Sequence, residues 1–177
     1  YTESREEIGA HYAKQTGANL IKPYDDVRVI AGQGTAGREI VRQSESLSLT
    51  PDIFISCCGG GGLIAGTAIA LSDSFPDITL YSAEPDKFDD TARSLAAGKR
   101  LSNEPDARSL CDAIVTPMPG KITFPINQKL LAGGLSVSDE EALRAMHVAA
   151  TYLKVVIEPG GAVALAAALS DEFVAKQ

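Results

Sequence analysis

Between Ser56 and Gly66 the sequence reads SCCGGGGLIAG. Glycine in a regular element costs conformational entropy, so four in a row need a reason. The block lies between a β-rich run at residues 52–57 and a run of small apolar residues at 63–75. A glycine loop entering a helix leaves backbone N–H groups bare at the positive end of the helix dipole. That combination binds anions, most often a phosphate. A tight turn needing positive φ is a second reading, although one or two glycines would serve it. A dinucleotide site is a third. Gly60, Gly62 and Ala65 fit G-x-G-x-x-A, and Glu84 stands 22 residues beyond Gly62 at an expected strand end, where an acid binds a ribose. Another formal match, GQGTAG at 32–37, has no acid at the end of its next strand and is discounted.

Composition narrows the classes. Hydrophobic residues make up 45% of 177, enough for a packed core. The formal net charge of −7 and a pI near 4.8 argue against a nucleic-acid surface and an anionic membrane surface. Cys57 and Cys58 are adjacent and lack metal spacing. With Cys111 they read as buried thiols of a reducing cytosol. No charged and then apolar leader opens the chain, so a cytoplasmic location is expected. The first residue is Tyr1 rather than methionine, so a processed chain or a piece of a longer one is expected. Residues 53–72 are uncharged over about the length of a membrane span (about 20 residues). The glycines in their middle would break a continuous helix at roughly 1 kcal/mol each. His11 and His147 fall on expected helices and read as helix-surface residues.

The elements that must position the glycine loop follow from pattern. A helix is expected over 4–14, with Gly17 as a left-handed C-cap, then a short strand over 18–22 and a loop over 23–29. A helix is expected over 31–43, a buried strand over 52–57, a helix over 63–75 and a second strand over 78–84. Strand, loop, helix and strand form a βαβ unit, which requires a parallel pair. Residues 86–119 read as loops and short helices. Ser138 and Glu141 fit a capping box ahead of a helix carrying Leu143, Met146, Ala150 and Leu153. KVVIEP at 154–159 reads as a third strong strand, and residues 160–169 as another buried helix. The expected fold class is α/β, a parallel twisted sheet flanked by helices.

Five stretches carry a resemblance in their order and spacing: VIAGQGTAGREI, CCGGGGLIAGTAIA, LYSAEPDKFDDTARSL, GLSVSDEEALRAM and LKVVIEPGGAVALAA. Together they resemble the C-terminal part of serine/threonine dehydratases. These are fold-type II pyridoxal 5'-phosphate (PLP) enzymes, a group that includes serine racemase. The resemblance implies that residues 1–24 are the tail of a smaller domain and that 25–177 are most of the large, phosphate-binding one. It implies that Gly59, Gly60, Gly61, Gly62 and Leu63 hold the PLP phosphate and that Glu158 lies near the cofactor ring. It implies a divalent cation, Mg²⁺ or Ca²⁺, held by Glu84, the Phe88 carbonyl and Asp90; oxygen ligands suit such hard ions. The alternative for these acids is a solvated loop with Asp86 and Asp89. The resemblance implies that Asp112 and Ala113 form a turn beside the cofactor that usually reads Asp-Gly, with Ala113 here in place of the glycine.

The implied reaction converts L-threonine or L-serine to a 2-oxo acid and ammonia, with the cofactor as electron sink. Racemisation of serine, and a stand-alone nucleotide- or phosphate-binding module, are the alternatives. The implied partners are an amino-acid substrate and either a second copy or the rest of the enzyme. None of the eight lysines lies in the Ser-x-Lys-x-Arg segment that carries the family's Schiff base. This chain is therefore expected to be inactive alone.

Overall fold

The computed structural model describes residues 5–174. It is a three-layer α/β arrangement around a parallel sheet of three strands, in the order β1 (Ile53–Cys57), β2 (Thr79–Pro85), β3 (Gly133–Val137). The register pairs Ile55 with Tyr81 and Ala83 with Leu135. Helix α1 (Arg5–Thr16) ends at Gly17, whose φ of 71° is the expected left-handed cap. The expected helix start at Ser4 lies outside the described residues. Helix α2 (Val27–Ser46) precedes β1, and α3 (Gly62–Ser74) makes the crossover from β1 to β2.

Side chains alternate across a strand, and the two cores obey that alternation. Leu80 and Phe54 face one side, where they meet Val41 of α2 and Ala68 and Leu71 of α3. Ala83, Ile55 and Cys57 face the other, against α6 (Asp139–Val148) and α7 (Pro159–Ala168). Alanines dominate that second core: Ala142, Ala145, Ala162, Ala166 and Ala167 are all buried. Two short helices, α4 (Asp90–Ala97) and α5 (Thr123–Leu130), lie between β2 and β3 in the chain. A final turn of helix, α8 (Asp171–Val174), packs Phe173 edge-on to Tyr81. No helix among the described residues is long and apolar enough to cross a membrane.

Three expectations are corrected, and one strand carried no expectation. Residues 18–22 are not a strand, because no neighbouring strand offers them a ladder; Leu20 and Ile21 are left exposed. KVVIEP is not a strand either. A one-turn π-helix (Ala149–Leu153) and Lys154 at φ 60° lead into a stretch that pairs with no strand among the described residues, and Val156 is 98% exposed. The third strand is instead Gly133–Val137, which opens on two glycines of low strand propensity. Helix α2 begins at Val27, four residues before its expected start, because Asp26 accepts the Arg28 N–H at 2.9 Å as its N-cap.

That longer helix absorbs GQGTAG whole. Its glycines serve a close helix crossing, because α2 and α3 touch backbone to backbone. A Cβ on Gly66 would come within 2.2 Å of the Ile30 carbonyl oxygen, and one on Gly37 within 2.9 Å of the Thr67 carbonyl oxygen. Gly32, in the same motif, faces open space.

Two substitutions in this crossing therefore have opposite signs. Gly66→Ala is expected to lower stability by about 3 kcal/mol, the upper end of overpacking costs. Gly32→Ala is expected to raise it by roughly 0.5–1 kcal/mol through helix propensity. Urea melts of both variants check this. The capping box is present: Ser138 Oγ accepts the Glu141 N–H, and Glu141 accepts the Ser138 N–H at 2.7 Å. Ser138→Ala is expected to cost about 1 kcal/mol by the same measurement.

Candidate anion cradle at the strand ends

Ligands of open parallel sheets bind beyond the carboxyl ends of the strands. Here β1 runs into the glycine loop and then into α3, while α7 begins alongside. The Cys57 thiol accepts the Ala164 N–H at 3.4 Å and donates to the Gly161 carbonyl at 3.5 Å, which ties the start of α7 to the end of β1. The 3₁₀ turn Asp112–Ile114 closes the ring, with Ile114 against Gly59 and Ala113 opposite Gly160.

Each loop glycine has a distinct neighbour. A Cβ on Gly59 would lie 3.2 Å from the Ile114 backbone. On Gly60 it would strike the Tyr24 ring at 2.2 Å. Gly61 is the N-cap of α3 at φ 86°, a conformation that favours glycine, and a Cβ there would reach Asn127 Nδ2 at 2.6 Å. Gly62 faces the Tyr24 backbone and Cβ at 3.1–3.3 Å. Close packing by the chain itself thus accounts for the missing side chains. The N–H groups remain: among the described residues none from Gly59 to Ile64 donates a hydrogen bond, and the first that does is Ala65, to Gly61. Gly60, Gly61, Gly62 and Ile64 are buried, so these donors sit in a site that suits an anion.

The carbonyls of Gly60 and Gly61, by contrast, are occupied. The Gly60 oxygen accepts Thr123 Oγ1 at 2.6 Å and the Gly120 N–H at 3.3 Å. The Gly61 oxygen accepts the Ala65 N–H at 3.0 Å and Asn127 Nδ2 at 3.4 Å. Asp25, at φ 56°, reaches across to accept the Ile122 N–H at 2.6 Å and the Thr123 N–H at 3.4 Å. Burial works against the charge of Asp25, but the three backbone donors Ile122, Lys121 and Thr123 outweigh it and hold its carboxyl below the usual range.

Glu84 and Asp90 form a second polar centre, behind Cys58. Both are buried, at 0% and 1% exposure. The Glu84 carboxylate accepts the Thr91 N–H at 3.0 Å and the Ala92 N–H at 2.8 Å. Asp90 accepts Asn103 Nδ2 at 2.5 Å through Oδ1, whereas its Oδ2 is buried without a partner. The Phe88 carbonyl accepts no hydrogen bond among the described residues. Burial, and then the Asp90 charge, push Glu84 up to about 8; burial pushes Asp90 up to about 7. The donor types present, the unpartnered Asp90 oxygen, the Phe88 carbonyl and the Glu84 carboxyl, are the oxygen ligands that Mg²⁺ or Ca²⁺ takes, although both Glu84 oxygens already accept N–H groups and no cluster of three or more Asp, Glu, His or Cys side chains is present among the described residues.

The structure gathers some of the expected residues and separates others. Gly59–Leu63 are together at the start of α3. Glu158 is the N-cap of α7, exposed, and its side chain makes no cap bond; it ends an irregular stretch and not a strand. Glu84 does not face the glycine loop as a ribose-binding acid would. Its oxygens are held by the first turn of α4, which removes the dinucleotide reading. His11 and His147 are not buried, and His147 meets only Thr151 at 3.4 Å. Tyr24, Asp25, Asn103, Thr123 and Asn127 had no motif to mark them. The one legible signal was the i, i+4 pairing of Thr123 and Asn127 on a single helix face.

Comparison with known proteins supplies the family. The family model described as pyridoxal-phosphate dependent enzyme matches residues 1–177. The serine racemase of Dictyostelium discoideum is 38% identical over 176 residues, covering 99% of this chain and 53% of that protein. The L-threo-3-hydroxyaspartate ammonia-lyase of Saccharomyces cerevisiae is 36% identical over 180 residues, covering 100% and 53%. The crystal structure of a T.th. threonine deaminase superposes with a TM-score of 0.91 at 41% identity, covering 96% of this chain and 57% of that one. Maize serine racemase superposes at 0.88 with 38% identity, covering 98% and 51%. The chain spans about half the length of the relatives it matches. A glycine-loop anion cradle at the strand ends, in a chain matched from end to end by this family's model, places the protein in the pyridoxal-phosphate dependent enzyme family.

Proposed function

We propose that the chain is most of the large domain of a PLP-dependent ammonia-lyase acting on L-threonine or L-serine, with residues 1–24 as the tail of the smaller domain. The observation that carries this reading is the run of N–H groups from Gly59 to Ile64, at the N-terminus of α3, that find no acceptor among the described residues. A phosphate ester seated there would meet the N–H groups of Gly59–Gly62 and Leu63 and the positive end of α3. Glu158, at the start of α7, stands on the same rim and would lie toward the ring. When bound, the cofactor supplies an electron sink for loss of the Cα proton. The residues of this chain bind and orient it; its lysines include none in the Ser-x-Lys-x-Arg setting of a covalent attachment.

Serine racemase is the second reading, favoured by the 38% identity of the Dictyostelium relative, which carries that name. Both reactions begin with the same proton loss, and the cradle serves both equally. We also place the chain against either a second copy or the rest of the enzyme. That role fits the exposed apolar run of Tyr152, Leu153, Val155 and Val156 and a three-strand sheet with open edges among the described residues. The proposed compartment is the cytoplasm, which suits three free thiols.

Two outcomes test this. The purified 177-residue chain is expected to release no measurable 2-oxo acid from L-threonine or L-serine; turnover by this chain alone would overturn the assignment of roles. For the cation, Mg²⁺ or Ca²⁺ at about 100 times its dissociation constant stabilises by about 2.7 kcal/mol. In a protein of this size that raises Tm by roughly 5–10 °C over a chelated sample. Asp90→Asn is expected to abolish the rise, and an equal rise in that variant would remove Asp90 from the ligand set.

A further inference from the structure

Two consecutive glycines leave the peptide plane between them almost unconstrained by sterics, because each can adopt either sign of φ. The plane joining Gly60 to Gly61 is therefore not fixed by the loop itself. What fixes it lies elsewhere in the chain. The Gly60 carbonyl accepts the Thr123 hydroxyl at 2.6 Å, a short bond, and the Gly120 N–H at a longer 3.3 Å. Thr123 is fully buried, and its own position is set by Asp25, which accepts the two N–H groups at the start of α5.

A trans peptide points its N–H opposite to its carbonyl. Holding the Gly60 oxygen against α5 therefore turns the Gly61 N–H away from α5. The next plane is held in the same way: the Gly61 oxygen points into α3, toward Ala65 and Asn127, so the Gly62 N–H points back off the helix start. A flip of the first plane would turn one donor of the cradle into an acceptor, and a carbonyl facing a phosphate repels it.

We infer that Thr123 is a positioning residue of the anion cradle: its hydroxyl locks the Gly60–Gly61 peptide with the N–H on the ligand side, and Asp25 holds Thr123 in place. Neither residue touches the ligand. This rests on the reading of the glycine loop as a phosphate site.

The test separates the two. Pyridoxamine 5'-phosphate needs no lysine for binding and is fluorescent; pyridoxamine is the same molecule without the phosphate. Titration of the 177-residue chain with each gives a ratio of dissociation constants that reports the phosphate contact alone. The wild type is expected to prefer the phosphorylated probe. Thr123→Val, which keeps the shape and removes the hydroxyl, is expected to weaken binding of that probe by about tenfold, the value of one well-placed hydrogen bond, and to leave pyridoxamine unchanged. Thr123→Ser is expected to restore the ratio, which a purely packing role for the Thr methyl would not do. If Thr123→Val fails to fold by circular dichroism, Thr123→Cys, with a weaker donor, is expected to lie between serine and the full loss. A wild type that binds both probes equally, or neither, overturns the phosphate reading and this inference with it. A wild type that prefers the phosphorylated probe while Thr123→Val, or Thr123→Cys in its place, keeps the same ratio leaves the phosphate reading standing and overturns the role of Thr123.

Discussion

Unpaired polar groups in a protein interior carry a desolvation cost of about 1–3 kcal/mol each, and folds are arranged to avoid them. Among the described residues two places in this chain hold several of them, one rich in donors and one rich in acceptors, while Ser82 Oγ, Thr116 Oγ1 and Asn127 Oδ1 are further buried atoms without a partner. At the start of α3 the surplus is of donors, the N–H groups from Gly59 to Ile64. Behind Cys58 it is of acceptors: two buried carboxyls, one with an oxygen that has no partner among the described residues, and a Phe88 carbonyl that accepts no hydrogen bond from them. Strands β1 and β2 lead into the two centres, α3 aims its dipole at the first, and the first turn of α4 gives its N–H groups to Glu84. A donor-rich centre suits an anion and an acceptor-rich one a cation, and both stand where strands β1 and β2 end.

The packing that supports these centres is done by small residues. Alanine is the commonest residue of the apolar core among the described residues, along α3 and on the α6–α7 side alike. The α2–α3 crossing is a backbone contact made by Gly34, Gly37 and Gly66. Small residues bring helix axes close and leave little slack, which keeps the N-termini of α3 and α7 fixed relative to the strand ends. The cost is that little of this core has a bulky side chain to absorb a change, so the fold depends on backbone proximity more than on large apolar contacts.

Much of this was legible in the sequence. The βαβ unit followed from a β-rich run, a glycine block and an apolar helix, and β1, α3 and β2 all lie within a residue or two of their expected bounds. The capping box and the left-handed Gly17 were local signals with local causes. What sequence reading misplaced was everything that needs a partner. KVVIEP has strong strand propensity, but a strand is defined by its neighbour, and among the described residues none lies beside it. Gly133–Val137 has weak propensity and is a strand because Tyr81–Pro85 lies beside it. The glycine loop itself was easily found. Thr123 and Asn127, which hold its carbonyls, and Asp25, which holds Thr123, lie far from the loop in the chain and carry no motif.

The glycine loop, finally, is three kinds of constraint under one letter. Gly60 excludes a side chain because an aromatic ring occupies the space, and a smaller residue at position 24 would free it. Gly59 faces main chain, which no substitution at Ile114 can trim away. Gly61 is bound by its own dihedral angle, independent of any neighbour. Across a lineage, then, positions 60 and 24 are free to drift as a pair, whereas 59 and 61 have no second position through which a replacement could be compensated. The letters look equivalent in the sequence, but of these three only Gly60 is negotiable.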